Sequence, residues 1–263
     1  MKDMKITWRK YWAVDGLEVS KGGGVRRTYN DKRAWSGKGF PQILKRQTDK
    51  NGNLFVTILK PKQINLRIDR LVASCYHYTV GKPSQGQVFI IHKDRDKTHC
   101  WAENLKWATP YEHGQFYANE EWVNTPDGYR LVLDDIHVSK DGKVKMNGEE
   151  LTICDSLYDS DIDMQVAISP HIAIWNGKYY DRSNKLDKLV ASAFLPIPDN
   201  LKSPGLIHVD MDYMNCNLNN LTWVECDSEE YKEYMDRQKA DMEKRTFELN
   251  PERAKHLQIG QGV

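Results

Sequence analysis

Two stretches of the chain carry histidine, aspartate and asparagine at matching spacings. Residues 88–107 read VFIIHKDRDKTHCWAENLKW, and residues 205–223 read GLIHVDMDYMNCNLNNLTW. In both, a histidine precedes an aspartate by two residues, and the motif Asn-Leu-x-Trp begins twelve residues after that histidine. Histidine can transfer protons near neutral pH, and its ring can bind metal ions. Each stretch is therefore a candidate site for such chemistry, and the pattern occurs twice.

The two stretches belong to a longer internal repeat. LEVSKGGGVRR (17–27) corresponds to IHVSKDGKVKM (136–146), and RLVASCY (70–76) corresponds to KLVASAF (188–194). With the histidine motifs, these pairs follow the same order at offsets of 119, 118 and 116 residues. A nearly fixed offset indicates a duplicated structural unit. We predict one repeat over 1–120, a second over 121–235, and a C-terminal helical extension or docking tail over 236–263.

The composition is typical of a globular protein in water. Of 263 residues, 40% are hydrophobic and 29% are charged. No apolar run approaches the roughly 18–20 residues that cross a membrane, and the first ten residues lack the apolar core of a signal peptide. The five cysteines include no CxxC pair, which favours reduced thiols. We therefore expect a protein that is neither secreted nor membrane-bound, with Cys100 and Cys216 as small core residues rather than zinc ligands.

Each repeat is predicted to combine short strands with helices. A hairpin around V-S-x-x-G-x-V comes first, and DRLVASCYHY or LDKLVASAFL follows as a short helix with one apolar face. An extended segment then ends at the histidine, and after an irregular loop a helix begins near Thr109, or near Asp227 or Ser228 in the second repeat. This order predicts an α+β fold in which each repeat joins a small β-rich module to a ββα module, with a long C-terminal helix.

Charge is divided unevenly along the chain. Residues 1–120 carry 22 Lys and Arg against 11 Asp and Glu, whereas residues 121–235 carry 10 against 21. A basic half beside an acidic half can bind nucleic acid on the basic side, or join copies of the chain head to tail. Unrelated solvated surfaces are the remaining explanation. The candidate DNA-binding residues of the first repeat are Lys21, Arg26, Arg27, Lys32, Arg33, Lys38, Lys45 and Arg46.

The repeated motifs resemble the HNH (ββα-metal) nucleases, particularly phage and intron homing endonucleases. V-S-x-x-G-x-V is similar to a small domain that precedes the HNH module in those proteins. LVASAFLPIPDN followed by IHVDMDYMNCNLNNLTWV is similar to their linker and core, in that order. The resemblance implies one divalent metal ion, Mg²⁺ or Mn²⁺, held between hairpin and helix, with the hairpin histidine as general base. By position it assigns a base, a middle asparagine and a helix ligand, which are His92, Asn104 and His113 in the first repeat and His208, Asn220 and Glu229 in the second.

The residue before each histidine departs from the family. That position usually carries a metal-binding carboxylate or carboxamide, and here it is Ile91 and Ile207. An aliphatic side chain cannot coordinate Mg²⁺, which takes oxygen ligands. Without the metal, nothing offsets the negative charge that grows on the phosphate in the transition state. We therefore expect vestigial sites and no cofactor, with Mg²⁺ or Mn²⁺ required only if the protein is active.

Two explanations of the polar residues remain open. Asp94 or Asp96, together with His99 and His113, could form a displaced metal site in the first repeat. Alternatively, Asp94 and its counterpart Asp210 brace the loops, and both middle asparagines satisfy loop backbone groups. Trp107 and Trp223 are expected in the core rather than as stacking platforms for bases.

Three functions follow from these alternatives. The first is a non-catalytic phage interaction protein, with an oligomeric virion (portal–tail) component as its specific form. Its partners would be other copies of the chain, joined through the basic and acidic repeats, and phage structural proteins. The second is an HNH endonuclease that nicks or cuts DNA with a divalent metal, and the third is a protein that binds DNA through the first repeat without cleaving it. The expected location is a phage virion or the cytoplasm of a bacterial host.

Overall fold

The fold is α+β, as the sequence predicts. The computed structural model describes residues 7–28, 41–58, 63–77, 89–133, 135–161, 164–175 and 180–251. Within them the chain forms small antiparallel sheets, four α-helices and two short 3-10 turns, and the predicted C-terminal helix is present. No helix among the described residues is both long and apolar enough to span a membrane. The chain divides into two compact units, Met1–Phe116 and Tyr117–Val263, so the division falls slightly before the predicted end of the first repeat at residue 120.

The first unit begins with small sheets and ends with a ββα module. The strands of its four-stranded sheet are, in spatial order, β1 (Trp8–Lys10), β2 (Leu17–Ser20), β3 (Val25–Arg27) and β4 (Gln42–Ile43). A three-stranded sheet follows with β5 (Gln47–Thr48), β6 (Leu54–Ile58) and β7 (Ile64–Arg67), and then helix α1 (Ile68–Tyr76). The ββα module consists of β8 (Phe89–His92), β9 (Leu105–Ala108) and helix α2 (Pro110–Phe116).

The second unit has the same order of elements, and its second sheet, its ββα hairpin and its last helix are longer than those of the first. Its four-stranded sheet contains β10 (Arg130–Leu133), β11 (Ile136–Val138), β12 (Val144–Met146) and β13 (Glu149–Glu150). The next sheet contains β14 (Ile153–Asp159), β15 (Met164–Trp175) and β16 (Tyr180–Lys185), followed by helix α3 (Leu186–Phe194). The ββα module consists of β17 (Pro204–His208), β18 (Leu221–Glu225) and helix α4 (Glu229–Leu249), which continues through residue 235, where the second repeat was predicted to end.

Each unit builds its core around its first helix. The α1 core includes buried Leu71 and Val72, and the α3 core includes buried Val190 and Ala191. α3 ends at Phe194, directly before the segment Leu195–Asn200 that contains PIPDN, as proline in that segment predicts. The indoles of Trp107 and Trp223 pack partly buried against these two cores, which confirms their predicted core position.

The hairpin turn of each β-rich module lies against the loop of the ββα module in the same unit. Gly23 has a φ of +81°, and a Cβ added there would lie 3.1 Å from the Cys100 carbonyl oxygen. Gly142 has the same φ, and its added Cβ would lie 3.4 Å from the Cys216 carbonyl oxygen. Both cysteines are buried, and burial raises the pKa of each thiol to about 12. They are core residues, as predicted.

Candidate functional site

Each candidate histidine ends the first strand of an antiparallel hairpin. His92 pairs with Leu105 across β8 and β9, and His208 pairs with Leu221 across β17 and β18. Both imidazoles are inaccessible, with 2% of His92 and none of His208 exposed. Burial lowers the pKa of His92 and of His208, because the charged ring would lose its hydration. Neither ring is presented to bulk water as a general base would be.

Asn104 closes the loop between the two strands of the first hairpin. Its Nδ2 donates to Asp94 Oδ1 over 2.9 Å and to the His99 carbonyl over 2.8 Å, and its Oδ1 accepts from the Asp94 amide over 3.1 Å. His99 Nδ1 lies 2.7 Å from Asp94 Oδ2. Desolvation alone would raise the pKa of Asp94, but hydrogen bonds from Asn104, the Asp96 amide and His99 outweigh it and lower that pKa to about 2.

The second hairpin loop contains the same bonds. Asn220 Nδ2 donates to Asp210 Oδ1 and to the Asn215 carbonyl, each over 2.8 Å, and Asn220 Oδ1 accepts from the Asp210 amide over 2.9 Å. Asn215 takes the position of His99 and donates to Asp210 Oδ2 over 2.7 Å. The loops share a left-handed residue as well, with φ of 65° at Arg95 and 64° at Met211. The expected bracing by the aspartates and asparagines is confirmed in both loops.

The isoleucines before the histidines belong to the protein interior. Ile91 is 5% exposed and Ile207 is 1% exposed. In the first unit, α2 packs on β8, and its His113 ring stacks on Phe89 with centroids 4.3 Å apart. Since side chains alternate along a strand, Phe89 and Ile91 share one face of the hairpin. Burial lowers the pKa of His113 to about 4, with smaller contributions from Lys97 and Arg67, so the ring is neutral at pH 7.

In the second unit, a tyrosine of α4 contacts the hairpin histidine. Tyr234 Oη lies 2.6 Å from His208 Nδ1, and the two rings are stacked with centroids 5.7 Å apart. Tyr234 is 2% exposed. The sequence did not predict this contact, because the family resemblance leads us to expect a metal ligand on the helix and not a tyrosine.

The structure corrects the helix position mapped in the second repeat. The side chain of Glu229 is 92% exposed and pairs with Lys232 over 2.7 Å. His113 is the fourth residue of α2, whereas Glu229 is the first residue of α4. The N-cap of α2 is Thr109, two residues after Trp107, and the N-cap of α4 is Ser228, five residues after Trp223. The longer connection in the second unit therefore moves Glu229 away from the hairpin, and Tyr234 is the helix residue that contacts His208.

The polar residues of the first loop do not fit a divalent cation. Among the residues that the structure describes, no three His, Cys, Asp or Glu side chains are grouped to hold a metal ion. Both carboxylate oxygens of Asp94 accept hydrogen bonds within the loop, and the ring of His113 stacks on Phe89. Asp96 Oδ1 accepts from the amide and hydroxyl of Thr98 over 2.8 and 2.6 Å. The displaced site suggested for Asp94 and His113 therefore gains no support from the geometry.

The basic candidates divide into paired and exposed side chains. Lys21 forms an ion pair with Glu103, and Arg26 pairs with Glu18 over 2.7 Å while its guanidinium covers the Trp8 ring. Arg27 is half-buried on β3, and Lys45 and Arg46 are exposed after β4.

The hairpin loop of the first unit carries two further exposed cations, Lys93 and Arg95, which the sequence analysis did not predict. Lys93 Nζ donates to the Glu103 carbonyl and Arg95 Nη2 to the Phe116 carbonyl, while Lys32, Arg33 and Lys38 lie outside the described residues.

Comparison with known proteins gives one structural neighbour of low similarity. No family model matches the chain, and no curated protein matches it significantly. A solved structure titled "DNA binding and cleavage by the HNH homing endonuclease I-HmuI" is 22% identical, with a TM-score of 0.34. The match covers 55% of this chain and 79% of the other. A TM-score this low does not establish a shared fold.

Proposed function

We propose that the chain is a non-catalytic binding protein built on two HNH-like modules that have lost their hydrolytic role. The observation that carries this proposal is the burial of both hairpin imidazoles, each directly after a buried isoleucine. A general base must come within hydrogen-bond reach of the proton that it removes, and His92 and His208 lie in the interior instead. A metal-assisted nuclease also needs ligands on the hairpin, where Ile91 and Ile207 supply none.

Duplication of one ancestral module explains the matching geometry. The bonds of Asn104 to Asp94 and His99 recur at Asn220 with Asp210 and Asn215. Such an arrangement is useful to the fold alone, because it satisfies polar groups that the loop would otherwise leave without partners. These residues would be retained after loss of hydrolysis.

The specific form that we propose is an oligomeric component of a phage virion, at the portal–tail junction. The family resemblance supports a phage origin, and the charge difference between residues 1–120 and 121–235 supports head-to-tail association of copies. Mass measurement in solution at low and high salt tests the association. A closed oligomer that dissociates at high salt is expected, and a monomer at all salt concentrations would rule out the head-to-tail contact.

DNA binding without cleavage is the second candidate function. Its specific support is the set of exposed cations on the first unit, comprising Lys45 and Arg46 after β4 and Lys93 and Arg95 on the hairpin loop. Lys93 and Arg95 bond to neutral carbonyl oxygens, which leaves their charge available to phosphate. If this surface binds DNA, changing Lys45 and Arg46 to alanine should reduce the salt dependence of binding by about two units of slope. Lys21→Ala is the matched control, because Lys21 is paired with Glu103.

Incubation with supercoiled plasmid distinguishes the three functions. The wild-type chain and His92→Ala are compared with Mg²⁺, with Mn²⁺ and with EDTA. We expect no nicking by either protein. Metal-dependent nicking that His92→Ala abolishes would overturn the non-catalytic proposal, and salt-dependent retention of intact plasmid would favour the second candidate over the first.

A further inference from the structure

A chain of buried polar side chains connects the second hairpin to α4 and then to β15. His208 Nδ1 lies 2.6 Å from Tyr234 Oη, Gln238 Nε2 lies 3.3 Å from the same oxygen, and Gln238 Nε2 lies 3.4 Å from Ser169 Oγ. All four residues are at most 8% exposed. We call these four residues, His208, Tyr234, Gln238 and Ser169, the helix latch.

The donors and acceptors of the helix latch are all satisfied when His208 is neutral and its Nδ1 is unprotonated. Gln238 Nε2 donates to Tyr234 Oη, and the phenol hydrogen has an acceptor when it is directed to His208 Nδ1. Nδ1 is then the unprotonated nitrogen of the ring. A proton added at Nδ1 would face the phenol hydrogen, and the His208–Tyr234 bond would have to reverse or break.

His208 interacts with carboxylates of α3 and the hairpin loop and with a phenol of α4. Asp187 of α3, buried at 8% exposure, and Asp210 and Asp212 of the hairpin loop act on the ring electrostatically, and Tyr234 faces it from α4. His208 Nε2 is buried and has no hydrogen-bond partner among the residues that the structure describes. A positive charge on this ring would lose its hydration, and the nearby carboxylates would offset only part of that cost.

The last turns of α4 bond to the backbone of β15. Thr246 Oγ1 accepts from the Ala167 amide over 3.0 Å, and Asn250, just after the helix, accepts from the Gln165 amide and donates to its carbonyl. Arg245 also pairs with Asp155 of β14. β16 pairs with β15 from His171 to Trp175. At Gln165 and Ala167, hydrogen bonds with Thr246 and Asn250 take the place of those with a neighbouring strand. Release of α4 would expose these backbone groups.

We propose that the helix latch is an acid-sensitive switch, in which protonation of His208 releases α4 from β15 and leaves the backbone edge of that strand open to pairing. This role is independent of the proposed function, because it needs neither a metal nor a nucleic acid. An exposed strand edge pairs readily with another extended segment, so the released state would be suited to strand addition.

The direction of the titration agrees with this geometry. Burial lowers the pKa of His208 from its ordinary value of 6.5, against the opposite effect of Asp187, Asp210 and Asp212. A histidine with a lowered pKa in the folded state contributes stability that is fully present above about pH 6.5 and declines as the pH falls below that value. Burial raises the pKa of Tyr234, so the phenol remains a donor over the same range.

Hydrogen exchange of the full chain between pH 7.5 and 5.0 tests the proposal. After correction for the intrinsic effect of pH, amides of residues 229–249 should exchange at least about tenfold faster at the lower pH, while amides of α1 remain protected. His208→Asn keeps an acceptor near the Nδ1 position and does not titrate, so its exchange should be independent of pH. His137→Asn is the matched control in the same unit and should behave as the wild type.

Direct titration of the His208 ring by NMR in the wild-type chain provides a readout that does not depend on the variants folding. The midpoint of the His208 titration should coincide with the midpoint of the exchange change. Equal protection of α4 at both pH values would overturn the proposal, as would a pH dependence that survives in His208→Asn or a His208 midpoint that differs from that of α4 release.

Discussion

Asn104 and Asp94 are joined by two hydrogen bonds that run in opposite directions across the first hairpin loop. Asn104 Nδ2 donates to Asp94 Oδ1 over 2.9 Å, and the Asp94 amide donates to Asn104 Oδ1 over 3.1 Å. A third bond from Asn104 reaches the His99 carbonyl over 2.8 Å. Both hydrogens of the carboxamide are therefore used within the loop. These three bonds of the Asn104 side chain hold the loop itself.

Removal of the equivalent carboxamide in the second loop, that of Asn220, should destabilise the second unit strongly. Asn220→Ala deletes three hydrogen bonds and leaves the Asp210 amide and the Asn215 carbonyl without that partner. We expect a loss of about 2–4 kcal/mol in the free energy of unfolding, measured by urea denaturation. The neighbouring Asn219→Ala is the control, because Asn219 is exposed, and its loss should be within about 0.5 kcal/mol. Equal losses in both variants would contradict the structural role of Asn220.

In the turn between β2 and β3, a Cβ added at Gly23 should lower the stability of the protein, whereas one added at Gly22 should not. Gly23→Ala forces a Cβ onto a residue with φ of +81° and places it 3.1 Å from the Cys100 carbonyl oxygen. The expected loss is about 1–3 kcal/mol in thermal or urea unfolding. Gly22 has no heavy atom within 4 Å of the equivalent Cβ, so Gly22→Ala should change stability by less than about 0.5 kcal/mol. A neutral Gly23→Ala would show that the turn and the loop do not pack tightly.

The sequence predicted the elements that depend on local pattern. The apolar faces of α1 and α3, the proline-rich segment after α3 and the N-caps Thr109 and Ser228 are all determined by residues close in the chain. The capping box of Thr109 with Glu112 is complete, because each side chain accepts from the other residue's amide. Loop bracing by Asp94 and Asp210 was also predictable, since short polar side chains in irregular loops bond to nearby backbone.

Contacts between distant elements were not predictable in this way. Tyr234 follows His208 by 26 residues, and its position depends on the length of the connection between β18 and α4. His113 and Glu229 each follow the tryptophan of their repeat by six residues, but the connection before α4 is longer than that before α2, so the same spacing reaches different turns of the two helices. The ion pair of Lys21 with Glu103 likewise joins the β-rich module to the ββα module of the first unit, and the spacing of these residues in the sequence does not predict it.

The buried His113 should make the first unit sensitive to acid. Its pKa is lowered to about 4 from an ordinary value of 6.5, chiefly by burial, so the unfolded chain takes up a proton that the folded chain refuses. The stability that the neutral ring contributes is complete above pH 6.5 and is lost progressively as the pH falls toward 4, by up to about 3 kcal/mol. Urea unfolding between pH 7.5 and 4.5 measures this slope. His113→Phe keeps an aromatic ring on Phe89 and should reduce this slope, leaving the part that comes from the buried His92. His99→Asn, which copies Asn215 of the second loop, should leave the slope unchanged.

Replacing the first buried isoleucine by a metal-binding side chain should create weak cation binding in one unit only. Ile91→Asn places a carboxamide on the hairpin face that Phe89 shares, and the His113 ring already stacks on Phe89. We expect weak Mn²⁺ binding by calorimetry, together with a loss of about 2–4 kcal/mol in stability, because a polar group replaces a buried aliphatic one. Circular dichroism establishes that the variant is folded before metal is added.

Ile207→Asn is the matched variant in the second unit and should bind no Mn²⁺. Its helix supplies no histidine at the corresponding place, since Glu229 is exposed and Tyr234 is bonded to His208. Uptake of Mn²⁺ by Ile91→Asn and not by Ile207→Asn would show that the first hairpin keeps the outline of a metal site and lacks only its ligand. The prediction is wrong if a folded Ile91→Asn takes up no Mn²⁺, or if both variants bind Mn²⁺ equally. Only in the first unit does a helix histidine, His113, lie on the hairpin face of the replaced isoleucine.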